Sequence, residues 1–286
     1  MYNAAIKLIN NNIFRGMLLG LPLLITACGG GSEKEKAKAL LTEAQTAYEH
    51  KDYTAALGLI DSLKSRFPRE IDVRREALHL SALATEGKTL RELESADSLV
   101  AQLNIQADSL QQKMKFVSNP IEGYYVAKTA NPATFIGSTG LQARMSPDGD
   151  FYLMSSLKAT AIKSISVTVS TATASATTAN VAHDGERNDR SMGAEVITFM
   201  GAECDSVGHF VSENYASPMT VTFNGTSTYS QPLSQSQAHE IALVYDYSTL
   251  IRRFKIATLE KERLSKALEL ARSQAARTYV ETPTEE

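Results

Sequence analysis

The sequence predicts an α+β protein: N-terminal helical hairpins plus a long antiparallel helix pair, with an inserted antiparallel β-sandwich or small barrel. Three observations predict it. Residues 33–118 and 236–277 are rich in Ala, Leu, Glu, Lys and Gln, all good helix formers, whereas residues 119–235 are rich in Gly, Ser, Thr and Val. Apolar residues recur every seven positions late in the first block and throughout the last, the signature of a helix–helix seam. Turn sequences punctuate the middle block at the spacing of short strands. With 29 Lys+Arg against 32 Asp+Glu the net charge is −3, so the chain lacks the basic field that nucleic-acid binding requires. Two cysteines in 286 residues exclude a disulfide-dense scaffold.

Residues 1–27 read as a targeting segment. Lys7 and Arg15 are the only charges before residue 33, and they precede the apolar run from Met17 to Ala27, which has the length of a signal-peptide core and is short for a membrane span. The segment Ile25-Thr-Ala-Cys28-Gly29 resembles the bacterial lipobox. That resemblance implies cleavage before Cys28, lipid attachment to Cys28 and a membrane anchor that does not span, with Gly29 to Ser32 as a flexible tether. It also implies an outer-membrane address, since Gly29 stands where an inner-membrane retention Asp would; the periplasmic face is favoured over the cell surface. Cleavage removes two basic and no acidic residues, leaving 27 against 32, a mature charge of −5. Cys204 then has no partner in the chain and is expected to be a buried, inert thiol.

Residues 33–87 predict paired helices. Leu40, Ala44, Ala47 and Tyr48, then Tyr53, Ala56, Ile60 and Leu63, with Pro68 as a stop, resemble one tetratricopeptide unit, in which Ala44 and Ala56 permit close helix approach. Ile71 to Glu86 supplies one more helix. One and a half units predict a small helical bundle rather than a peptide-binding groove, because three or more repeats are needed to bury a solenoid core.

Residues 88–118 and 236–277 predict the long pair. Leu93, Val100, Ala107 and Met114 form one register, and Ala96, Leu103, Leu110 and Val117 the other, ending at Asn119-Pro120. In the C-terminal block Tyr247, Phe254, Leu268 and Ala275 alternate with Leu243, Leu250, Ala257, Leu264 and Ala271, interrupted by Lys261. Ser234 with Gln237 offers the helix cap. The two helices leave opposite ends of the inserted segment, which predicts an antiparallel intramolecular pair; parallel dimerisation through either helix is the alternative. Residues 278–286 read as a flexible tail.

The inserted block, 119–235, carries strand candidates at Tyr124–Lys128, Thr139–Met145, Asp150–Ser156, Ile162–Ser170, Glu195–Met200, Val207–Val211 and the hairpin Met219–Phe223/Thr226–Tyr229 around Asn224-Gly225. Ser146-Pro-Asp-Gly149 and His183-Asp-Gly185 are further turns. The Ala172 to Ala176 stretch predicts an edge strand or a loop.

Chemical motifs are sparse. There is no metalloprotease, phosphate-loop or nucleophile-elbow signature and no clustered Cys/His set, so no catalytic residue, metal site or cofactor is predicted. His183, Asp184, Glu186 and Asp189 are the candidate ligand-loop residues, although a solvated inter-strand loop would show the same composition. Tyr124, Tyr125, Phe135, Tyr152, Phe210, Tyr215 and Tyr229 could stack on a sugar or pack as core. Asp61-Ser62-Leu, Asp97-Ser98-Leu, Asp108-Ser109-Leu and Asp205-Ser206-Val resemble the O-glycosylation sequon of Bacteroides-type bacteria, which implies modification at Ser62, Ser98, Ser109 or Ser206. The whole pattern resembles envelope lipoproteins of the Bacteroides group. It implies a non-enzymatic spacer or protein-interaction module held to the membrane by its N-terminal lipid, with a protein partner in the envelope; polysaccharide binding through the β domain is the alternative.

Overall fold

The computed structural model describes residues 32–118 and 123–279. Cys28, the leader and most of the predicted tether and tail lie outside the described residues. The chain divides into two compact units, residues 1–78 and 79–286.

The first unit begins with a helical hairpin. Helix α1 (Glu33–Glu49) opens with a reciprocal cap: the Ser32 hydroxyl accepts from the Glu35 amide, and the Glu35 carboxylate accepts from the Ser32 amide at 2.7 Å. Lys51, at φ +60°, turns the chain, and Asp52 caps helix α2 (Tyr53–Arg66) through the Ala55 amide. Ala37, Leu41 and Ala44 face Ala56, Ile60 and Leu63 in the buried layer. The following helix, α3 (Ile71–Gln111), crosses the unit boundary without a break.

The expected division of this region at residue 87 is therefore replaced by one 41-residue helix. The expected helical span 88–118 also ends early. After Gln111 a turn leads into strand β1 (Met114–Val117), so Met114 and Val117 belong to a sheet and not to the seam. A seven-residue repeat cannot distinguish these states here, because an apolar residue such as Met114 is buried equally well on a helix seam and on the core side of a strand.

The second unit contains two antiparallel sheets. The six-stranded sheet has the order β1, β2 (Tyr124–Ala127), β3 (Gly140–Met145), β4 (Phe151–Leu157), β8 (Ala194–Met200) and β7 (Asn188–Ser191). The four-stranded sheet has the order β10 (Thr228–Leu233), β9 (Met219–Asn224), β5 (Ser166–Ser170) and β6 (Ser175–Thr177). Strand β9 shows the sequence logic plainly: Met219, Val221 and Phe223 are buried while Thr220 and Thr222 point away. Helix α4 (Pro132–Phe135) is a single turn beside the larger sheet.

The segment expected as a strand at Val207–Val211 is instead helix α5 (Asp205–Asn214), preceded by a 3₁₀ turn at Gly201–Glu203. Val207, Gly208 and Val211 all fall on its buried face, a spacing that fits a helix packed on one side. Gly208 sits where a side-chain carbon would meet the Tyr245 and Phe151 rings, so this position sets the close approach of α5 to the last helix.

That last helix, α6 (Gln235–Thr278), runs 44 residues from a Ser234 cap whose hydroxyl accepts from the Gln237 amide at 3.2 Å. Its first half belongs to the β body. Ala238, Ile241, Val244, Tyr247, Leu250 and Ala257 join one apolar core with Leu141, Leu153 and Phe199 of the larger sheet, and Val167, Val221 and Phe223 of the smaller. The turn at Ser146–Gly149 docks on it: the buried Ser248 hydroxyl donates to the Gly149 carbonyl at 2.6 Å, and Lys255 pairs with Asp148 at 3.4 Å.

The second half of α6 lies along α3. Lys261 pairs with Asp97 at 2.7 Å, Arg272 with Glu86 at 3.2 Å, and His79 meets Thr278 at 3.2 Å, so position rises on one helix as it falls on the other. Leu264, Leu268, Ala271 and Ala275 are the buried residues of this stretch. The polar interruption at Lys261 thus has a partner on the facing helix.

Candidate functional site

The outer face of the six-stranded sheet is covered only in part. Phe135 of α4 packs with Met154, Ala194 and Val196 at one side. Beside this cluster the face is open, and a groove of about 240 Å³ lies over it, lined by Gly123, Tyr124, Arg144, Ser146, Tyr152, Met154, Thr198 and Met200.

Strand register builds the floor. Arg144, Tyr152 and Met200 are directly opposite one another across β3, β4 and β8, and Gln142, Met154 and Thr198 form the next row. Side chains of such cross-strand rows lie on one face of a sheet, which brings residues far apart in sequence into one surface. Tyr124, from β2, supplies a wall.

Arg144 is the charged centre of this groove. Its guanidinium lies over the Tyr124 ring, 4.1 Å from the ring centre, and its Nε donates to Oε1 of the buried Gln142 at 3.0 Å. Burial lowers its pKa from the ordinary guanidinium value, against a smaller opposing effect of Tyr124. Among the described residues no carboxylate forms an ion pair with it. The arrangement is a fixed cation with one edge anchored, an aromatic face behind it and a second tyrosine in the same floor.

Sequence reasoning marks Tyr124 and Tyr152 among the aromatics but does not find Arg144. The available signal is the alternation in Leu141-Gln-Ala-Arg-Met145, where Leu141, Ala143 and Met145 join the core and Gln142 and Arg144 face away. Of the other marked aromatics, Tyr125, Phe210, Tyr215 and Tyr229 pack against the core and Phe135 is buried.

The candidate ligand-loop residues are placed differently. Asp184 Oδ1 accepts from the amides of Glu186, Arg187 and Asn188 at 2.9, 3.0 and 3.2 Å, and these hydrogen bonds hold its pKa below the usual carboxylate range. His183 Nδ1 meets Asn188 Oδ1 at 2.9 Å, while Glu186 and Asp189 are exposed. The loop is thus organised by its own turn, and Asp189, expected within it, lies on edge strand β7. Asn188 is fully buried and donates to the Ser164 and Val181 carbonyls at 2.8 and 2.9 Å. The neighbouring Glu195, also buried, accepts from the Lys163 and Ser164 amides at 2.8 and 2.9 Å. These two side chains clasp β7 and β8 to the segment that leads into the smaller sheet. Among the described residues no group of three or more His, Cys, Asp or Glu could hold a metal ion.

Cys204 is fully buried, and its thiol lies near the Phe199 and Gly201 carbonyls. Desolvation pushes its pKa up to about 12. Of the sequon serines, Ser98, Ser109 and Ser206 are exposed and Ser62 is half-buried. The hydroxyls of Ser62, Ser98 and Ser206 donate to the Gly58, Glu94 and Thr177 carbonyls. No described helix is long and apolar enough to cross a membrane.

Neither a protein family, nor a curated protein, nor a solved structure matches the chain.

Proposed function

We propose that this chain is a lipid-anchored, non-enzymatic envelope protein whose helix pair acts as a spacer and whose β body, read as a two-sheet sandwich, makes the contact with a partner. Cys28 is the proposed lipid attachment, in the outer membrane and on its periplasmic face. The single observation that carries the spacer reading is the continuity of α6. Its first half is built into the core of the β body and its second half pairs with α3. A helix that is locked into a domain at one end and paired at the other transmits position as a rod. From Ala257 to Thr278 the paired stretch is about 30 Å long at the helical rise.

The Arg144 groove favours a second reading, glycan binding by the β body, because it combines tyrosine rings with a hydrogen-bonding cation in one concave surface. Mild crosslinking in intact envelopes followed by purification separates the two. Recovery of one specific protein partner, with no retention of the protein on envelope polysaccharide, supports the spacer; retention on polysaccharide without a protein partner contradicts it. Cys28→Ala is expected to leave the membrane fraction, and a variant that still partitions with membranes would refute the anchor.

A further inference from the structure

We infer that the groove over the six-stranded sheet is a binding site for a single acidic sugar unit, a uronate whose carboxylate pairs with Arg144 and whose ring lies against Tyr152 and Met154. This deepens the glycan reading and rests on it. Removing a guanidinium from water is unfavourable unless a counter-charge or full hydrogen bonding replaces the water, and proteins ordinarily supply one. Arg144 is half-buried, and of its donors Nε is given to Gln142, a neutral acceptor. No described carboxylate is paired with it, although the chain is acidic overall. An anionic ligand would supply the missing charge.

The remaining geometry selects the class of anion. With Nε occupied, the two terminal nitrogens present the end of the fork, which matches the two oxygens of a carboxylate. Stacking on Tyr124 and the bond to buried Gln142 fix the plane of that fork before any ligand arrives. The floor beside it, Tyr152 and Met154, is apolar and suits the C–H face of a pyranose, while Ser146 and Thr198 offer hydroxyls at the rim. At about 240 Å³ the space is below the usual range for drug-sized ligands, which fits one sugar unit at the end of a chain or a branch rather than an extended oligomer.

The test is calorimetric titration of the full-length protein with a short oligogalacturonate, its methyl-esterified neutral form and inorganic phosphate. The uronate is expected to bind saturably, at least tenfold more tightly than the ester, with no comparable binding of phosphate. Arg144→Met is expected to lose at least tenfold in affinity for the uronate. Thr198→Glu, at a half-buried rim position, offers Arg144 an internal counter-ion and is expected to lose as much without touching the Gln142 contact. Melting curves of both variants that match the parent establish that the loss is local. Equal binding of uronate and ester overturns the acidic-sugar assignment while leaving the glycan reading standing, and so does phosphate binding as tight as the uronate. Binding of neither sugar overturns both. Unchanged uronate affinity in Arg144→Met and Thr198→Glu removes the groove as the site.

Discussion

Buried polar residues help the apolar core to hold the β body together, and Glu195 is the clearest case. Desolvation opposes its charge, yet the amides of Ser164 and Lys163 outweigh that effect and hold its pKa below the ordinary glutamate value. A carboxyl group depressed in the folded state adds stability above its unfolded pKa and loses it as pH falls through the folded value. Glu195→Gln replaces one acceptor oxygen by an NH2 group, leaving one of the two amides without an acceptor, and is expected to lower stability by about 1–3 kcal/mol at neutral pH. Denaturation curves of the two proteins should converge below the ordinary glutamate range; an offset that persists there would deny the carboxylate its role. Cys204 provides a second residue-level test. With its pKa raised to about 12 and its side chain fully buried, it is expected to resist thiol reagents at neutral pH until the protein unfolds. Rapid labelling of the native protein would contradict this. Burial of Cys204 is expected from sequence, because an unpaired cysteine behaves as a small hydrophobe. Glu195 and Arg144 are not legible there: each looks like the outward residue of an alternating strand, and only the placement of a distant loop or a neighbouring tyrosine gives it a role.

At the scale of elements, the seam of the long helices was readable and its ends were not. Leu250, Ala257, Leu264, Leu268, Ala271 and Ala275 are buried as their seven-residue spacing predicts. The same spacing runs past Gln111 into strand β1, since a residue can satisfy a helix seam and a strand face by the same apolar character. Val207 to Val211 misleads for a related reason: two valines four residues apart suit one face of a strand as well as one face of a helix, but Gly208 at a helix–helix contact tips the choice. Gly208→Val is therefore expected to cost about 1–3 kcal/mol, despite the higher intrinsic cost of glycine in a helix, because the added carbons meet Tyr245 and Phe151. Chemical denaturation measures it, and a neutral or stabilising result would show that α5 can shift away from α6. The Lys261–Asp97 pair is half-exposed on both sides. A double-mutant cycle is expected to give a coupling of about 0.2–1 kcal/mol, so the pair specifies register more than it adds stability. A zero coupling would leave register to the buried leucines alone.

For the whole molecule, the order of helical, β and helical blocks was legible because composition and period change together, and antiparallel pairing of short strands follows from the turn spacing. The groove was not, since it forms only when β2, β3, β4 and β8 are set side by side. The proposed spacer role requires α6 to remain one rigid helix from the β body to the far end of its pairing with α3. Spin labels at the exposed positions Ser236 and Gln274, with native Cys204 left unlabelled by its burial, measure this directly by pulsed dipolar spectroscopy on the protein in membrane vesicles. An unbroken helix places the two sites about 57 Å apart at the helical rise. A single narrow distance distribution near that value is expected. A broad distribution, or a peak much shorter, would mean that the helix breaks beyond Ala257, and a broken helix cannot act as the spacer.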